Sequence, residues 1–162
     1  MEIHTNWRSY GWGIGLLFLL VTACSQKEEV YYEFRSFPKS QWDQREAIRF
    51  EVPIKDNSTL YNVFIETRNN NDYPFKNIWL FVDYQTPDGK VYLDTIQRDL
   101  ADDYGKWNGD GISLYSYSIL YKGNVQYPDT GMYVYTIRQG MRTNPLKGIS
   151  DIGLKISKKT AY

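Results

Sequence analysis

The chain has 162 residues and a mass of 19.1 kDa, with 19 basic side chains, 19 acidic side chains and a single cysteine. Balanced charge without a basic block excludes ordinary nucleic-acid binding, which needs clustered Lys and Arg against phosphates. One cysteine excludes an intramolecular disulfide and any multi-cysteine metal centre. A hydrophobic content of 42% supports one packed domain. Aromatics make up 17%, with 15 tyrosines, which favours pleated sheet, where flat rings fit.

The first element is a leader. Arg8 precedes an apolar run, Gly11 to Val21, about half the length needed to span a bilayer. The run ends in Val21-Thr22-Ala23-Cys24, which resembles a bacterial lipobox: a branched residue, two small ones, then the cysteine. Residues 1–23 therefore read as a lipoprotein signal peptide, cleaved before Cys24, a residue whose thiol takes a diacylglyceryl group and which is acylated further with a palmitate-type chain. Each buried methylene adds ~0.8 kcal/mol, so such acylation predicts stable anchoring to membrane lipid. Cleavage removes His4, the only histidine. The mature chain then has neither imidazole nor free thiol, which excludes Ser-His-Asp and Cys-His catalysis and the usual zinc sites. Carboxylate-only chemistry stays open.

Residues 24–30 form the lipidated Cys and a polar tether. Its Lys27-Glu28-Glu29 resembles a lipoprotein surface-export signal and reads equally as a solvated linker. Residues 31–162 form a single domain in which the apolar period is two. Tyr31–Ser36, Ile48–Ile54 and the alternating Tyr61, Val63 and Ile65 are the first expected strands. A short helical turn is expected near Ser40–Arg45. Ile78-Trp79-Leu80-Phe81-Val82 is apolar on both faces and predicts a central strand covered on both sides. Thr86-Pro87-Asp88-Gly89-Lys90 predicts a tight turn into a strand over Val91–Ile96. Ile112–Tyr121 and Met132–Gln139 follow. The last strand has Ile152, Leu154 and Ile156 inward, with Asp151, Gly153, Lys155 and Ser157 outward. About eight strands without a long amphipathic helix predict an all-β, two-sheet β-sandwich, jelly-roll-like or Ig-like.

Two loops hold enough polar groups to be sites. Residues 99–111 carry Asp99, Asp102, Asp103 and Asp110 among three glycines. These are weak Ca²⁺ candidates, because the loop lacks the alternate spacing and closing Glu of an EF-hand; glycine bends with Asp caps explain them as well, and no metal or cofactor is expected. Residues 138–149 carry Arg138 and Arg142, suited either to bracing the loop through carboxylates or to facing a partner. Tyr115, Tyr117 and Tyr121 on one strand, with Tyr133 and Tyr135 on another, allow a ring-stacking glycan platform or plain cross-strand packing.

The ordered segments Ser40-Gln41-Trp42, Tyr61-Asn62-Val63, Thr67-Arg68-Asn69, Tyr73-Pro74-Phe75-Lys76-Asn77-Ile78-Trp79 and Leu100-Ala101-Asp102 are familiar together. Gly105-Lys106-Trp107-Asn108-Gly109, Gly131-Met132-Tyr133, Gln139-Gly140-Met141-Arg142, Leu146-Lys147-Gly148-Ile149 and Asp151-Ile152-Gly153-Leu154 continue the order. With the lipobox, the pattern resembles the gliding-motility lipoprotein family GldH of Bacteroidota over essentially the whole mature chain. The resemblance implies a lipid-anchored outer-membrane protein, on its periplasmic or cell-surface face, needed for gliding and tied to the type IX secretion apparatus. Implied partners are other gliding and secretion lipoproteins and outer-membrane proteins, with no nucleic acid and no small-molecule substrate. No family binding-site residue beyond Cys24 carries over. The leading expectation is a non-catalytic component or stabiliser of that assembly, contacting partners through Trp107 and Arg142, residue types enriched at binding hot spots. The alternative is a surface-anchored glycan-binding lipoprotein using the exposed tyrosines. A carboxylate hydrolase built on Asp102 and Asp103 is disfavoured, since adjacent residues on an extended strand point to opposite faces.

Overall fold

The computed structural model describes residues 29–159, so the expected leader, Cys24 and residues 25–28 of the tether lie outside the described residues. Eleven strands follow in chain order: β1 (Glu29–Ser36), β2 (Gln41–Trp42), β3 (Ile48–Ile54), β4 (Leu60–Asn70), β5 (Asn77–Gln85), β6 (Val91–Asp99), β7 (Asp110–Gly111), β8 (Leu114–Gln126), β9 (Gly131–Gln139), β10 (Leu146–Lys147) and β11 (Ile149–Lys158). The first sheet has the order β1-β11-β4-β8, with short β7 paired to β8. The second has the order β3-β9-β5-β6, and β10 pairs with β2 in a small ribbon. All pairs are antiparallel.

Ranked by chain order, the eight long strands lie 1-8-3-6 in one sheet and 2-7-4-5 in the other. This nesting of antiparallel pairs around one central hairpin is a jelly roll. The hairpin tip is the expected turn: the Thr86 N–H donates to the Lys90 carbonyl at 2.9 Å and the Gly89 N–H to the Thr86 carbonyl at 2.9 Å. Gly89 has φ of +86°, a conformation only glycine adopts without steric cost.

Period-two sequences place one apolar row from each strand between the sheets. Phe50 and Val52, Val63 and Ile65, Leu80 and Val82, Ile137, and Ile152, Leu154 and Ile156 are all fully buried there. Outward rows depart from expectation in two places. Ile78, Leu80 and Val82 face the core, but Trp79 and Phe81 remain 42% and 41% exposed. β5 is central within its sheet, yet no strand or helix among the described residues lies over its outer face. The reverse holds for β11, where the outward Asp151, Gly153 and Ser157 are buried beneath neighbouring side chains. The helical turn is also displaced: a short 3₁₀ segment occupies Pro38–Ser40, ahead of the expected position. β1 begins at Glu29, and β8 runs from Leu114 to Gln126, beyond the expected end at Tyr121.

Antiparallel order sorts the connections to opposite ends. Residue 29 and residues 55–59, 86–90, 127–130 and 159 gather at one end, where Asn57 Nδ2 donates to the Pro128 carbonyl and the Lys159 N–H to the Leu60 carbonyl. Residues 37–47, 71–76, 100–113 and 140–148 gather at the other, where the Leu100 N–H donates to the Lys76 carbonyl and the Gly148 N–H to the Ser40 carbonyl. The first end, where the chain enters the domain, is the proximal end; the second is the distal end. A strand of eleven residues such as β4 sets their separation at roughly 35 Å.

Candidate functional site

Both polar loops project from the distal end. The first is braced on the β4–β5 connection, whose Lys76 carbonyl accepts the Leu100 and Ala101 N–H groups at 2.8 and 3.1 Å. Asp102 Oδ1 accepts the N–H groups of Tyr104 and Lys106, each at 2.9 Å, which closes a turn opened by Gly105. Asp103 pairs with Lys76, which also lies 3.6 Å from Asp99. The Lys76 ammonium lowers the Asp103 carboxyl, and the Asp103 hydrogen bond in turn raises Lys76. Asp110 sits in β7 opposite Ser116. Asp99 and Asp103 share Lys76, Asp102 caps its own turn and Asp110 stands in β7, and no cluster of three metal-ligating side chains forms among the described residues. Asp102 and Asp103 lie in a turn and engage different groups, so they do not form an acid/base couple.

Trp107 closes this loop through a β-bridge with Ala101. Its indole N–H donates to Asn71 Oδ1 at 3.1 Å, and its half-buried ring lies 5.9 Å from Tyr115 and 6.2 Å from Tyr73. Tyr73 is buried and meets Phe75 edge-on at 5.8 Å. These rings form a row from the first loop toward the second, a connection that local sequence does not suggest.

The second loop is shaped from inside by Gln139, which is 1% exposed. Its Oε1 accepts the Met141 N–H at 2.8 Å, while its Nε2 donates to the Thr143 carbonyl at 3.3 Å. From the 3₁₀ side, Gln44 Nε2 donates to the Met141 carbonyl at 3.1 Å, and the Gln44 N–H donates to Asn144 Oδ1 at 2.7 Å. Gly148 has φ of +82°, and a Cβ there would collide with the Tyr73 backbone, so glycine is what allows the loop to close against the β4–β5 connection. These contacts hold Met141 inward and leave Arg142 exposed between two fixed neighbours. Arg138 lies apart from Arg142, on the outer face of β9, paired with Asp83 of β5.

Between the second loop and β5 is an open cleft of about 420 Å³ lined by Phe75, Asn77, Trp79, Gly140, Met141, Arg142 and Thr143. The Gly140 N–H donates to the Trp79 carbonyl at 2.7 Å, and the Trp79 N–H donates to Met141 Sδ at 3.3 Å, so the cleft floor continues the β5–β9 ladder. Trp79 and Phe75 join the site only in three dimensions. The one sequence signal for Trp79 was parity: once Leu80 and Val82 face inward, residues 79 and 81 must face outward.

The tyrosines do not form the exposed strip that a glycan platform needs. Tyr133 and Tyr135 are 1% and 3% exposed, and face the core from the second sheet. Tyr115 and Tyr117 are half-buried on the first sheet. The hydroxyls of Tyr127 and Tyr135 meet at 2.7 Å, and burial pushes both phenols well above their ordinary ionisation range. Inward parity on β9 uses these rings as core.

Residues 29–156 match the family model described as GldH lipoprotein. The chain is 36% identical over 148 residues to the gliding motility lipoprotein GldH homolog of Christiangramia forsetii, covering 86% of this chain and 90% of that relative. It is 32% identical over 155 residues to the gliding motility lipoprotein GldH of Flavobacterium johnsoniae, covering 91% of this chain and 96% of that protein.

Proposed function

The chain belongs to the GldH lipoprotein family, and from that membership we propose that it is an outer-membrane lipoprotein of gliding motility, a non-catalytic component or stabiliser of the gliding and type IX secretion assembly. Membership in a lipoprotein family implies a lipid anchor, and Cys24, ahead of the folded domain, is the residue assigned to carry it. Its partners in this reading are membrane lipid and the other lipoproteins and outer-membrane proteins of the assembly. The role uses no cofactor, nucleic acid or small-molecule substrate.

The observation that carries this reading is the polarity of the sandwich. The chain enters at the proximal end through Glu29, while the loops around Trp107 and Arg142 open at the distal end. Four residues lie between Cys24 and Glu29, so five Cα steps hold the proximal end within roughly 17 Å of the Cys24 backbone. Confinement to one membrane surface raises the effective concentration toward partners in the same layer, and the distal loops are aimed away from the lipid. Trp107 and Arg142 serve here as partner contacts.

Clean deletion of the gene is expected to abolish spreading over a surface, and Cys24→Ala to release the protein from the outer-membrane fraction. Normal spreading in the deletion strain would defeat the assignment to motility. Retention of the Cys24→Ala protein in the membrane would defeat the assignment of the anchor.

A further inference from the structure

We propose that the distal cleft between β5 and the 140–148 loop takes an acidic segment of a partner protein that lays an apolar side chain against Trp79 and Phe75 and a neighbouring carboxylate on Arg142. The inference rests on the docking role proposed above and assigns its chemistry. Three features of the cleft carry it.

The first is an apolar wall. Phe81 and Trp79 already fill the space over Gly140, where a Cβ would stand 3.2 Å from the Phe81 ring and 3.3 Å from Trp79. The cleft opens beside that packed floor, against Phe75, Trp79 and Met141. An apolar side chain inserted there removes the half-exposed Trp79 surface from water.

The second is charge. Arg142 is the only ionisable group lining the cleft, and no ion pair or hydrogen bond engages its side chain among the described residues. Arg138 on the neighbouring strand and Lys76 beside Phe75 are already matched, to Asp83 and to Asp99 and Asp103. A guanidinium against an apolar wall favours a carboxylate, which it grips through two parallel hydrogen bonds, and it repels a basic segment.

The third is rigidity. Gln139 and Gln44 fix the backbone on both sides of Arg142, so little ordering is lost when a partner docks.

The test uses the full-length lipoprotein in gliding cells, with a benzophenone photocrosslinking amino acid in place of exposed Thr143, and maps each adduct to a peptide. The expected adduct is a protein segment with Asp or Glu within a few residues of the apolar crosslinked position. Arg142→Glu is expected to lower its yield about tenfold, and Arg142→Gln by less. Replacing the captured carboxylate with Lys in the Arg142→Glu background is expected to restore the yield. The proposal is overturned by adducts to a segment without a carboxylate, to lipid or to a second copy of this chain. It is equally overturned by no adduct at all, by a yield indifferent to Arg142→Glu, or by failure of the charge swap. Arg142 is exposed, so its variants fold, and crosslinking from Asn124 at the proximal end checks for the folded, anchored protein. Spreading separates the two readings. Loss of the Thr143 adduct in a strain whose motility requires the gene removes the cleft and leaves the motility role, whereas normal spreading after deletion removes the motility role.

Discussion

The outer faces of the two sheets both carry aromatic side chains and treat them differently. On the first sheet, Arg68 lies 3.9 Å over the Phe34 ring, and Lys155 lies 4.7 Å from the Phe64 ring and 5.7 Å from Tyr32. Lys155 also pairs with Glu66 at 2.7 Å, Glu66 accepts the Ser118 hydroxyl at 2.6 Å, and Asp151 accepts the Ser36 hydroxyl at 2.5 Å. Long cationic side chains thus lay their stems across the sheet and bury its central strand. On the second sheet the single cross-strand pair Arg138–Asp83 stands among Trp79, Phe81 and Leu93, the last 76% exposed. A face finished with its own charged layer needs no partner, while an unfinished aromatic face invites one.

The largest expected effect comes from the tyrosines between these faces. Tyrosine ordinarily ionises near pH 10, and burial, the largest influence on each, raises Tyr73, Tyr121, Tyr127 and Tyr135. The folded chain keeps these protons above pH 10 and the unfolded chain releases them, so the native state binds more protons there. Stability is intact below pH 10 and falls as pH rises, by about 1.4 kcal/mol per pH unit for each such tyrosine. Urea midpoints measured at pH 8, 10 and 11 check this, and an unchanged midpoint at pH 11 would contradict it.

Next is the covered face. Lys155→Ala strips the partner from Glu66, whose side chain is 8% exposed, and is expected to cost about 3 kcal/mol in urea unfolding. A cost under about 0.5 kcal/mol would mean that the charged layer is ornamental and the contrast between the faces false. On the same face, a Cβ on Gly153 would stand 2.8 Å from the Glu33 carbonyl and from the Phe34 ring, so Gly153→Ala is expected to cost about 2 kcal/mol by overpacking. The smallest effect belongs to the bare face. Leu93→Ser is expected to leave stability within about 0.5 kcal/mol while reducing self-association in sedimentation. A large loss of stability there would show that Leu93 is packed in solution.

Much of the fold was legible from alternation. Ile152, Leu154 and Ile156 face the core as their spacing required, and the Pro87-Asp88-Gly89 turn ties β5 to β6. The distal end was less legible. Trp107 and Arg142 were noticed as residue types, but the row that links them passes through Tyr73 and Phe75 on a third connection, and the clamp at Gln139 depends on which groups its amide reaches. Trp79 was misread because an apolar residue on an outer face has the same sequence appearance whether or not another element covers it. Asp151 and Ser157 are its mirror image: they point outward as alternation requires, and their burial depends on long neighbours that fold over them.

Period-two hydrophobicity, turn chemistry and the lone cysteine ahead of the domain determined the sheets, their inward faces and the family pattern, because these depend on neighbours along the chain. Which strands became partners, which outer face was closed by cations, and which loops met at the distal end were decided by tertiary structure. Those outcomes depend on pairings across as many as 128 residues, as between Glu29 and Ser157, and on side chains whose reach is defined only once the sheets have met.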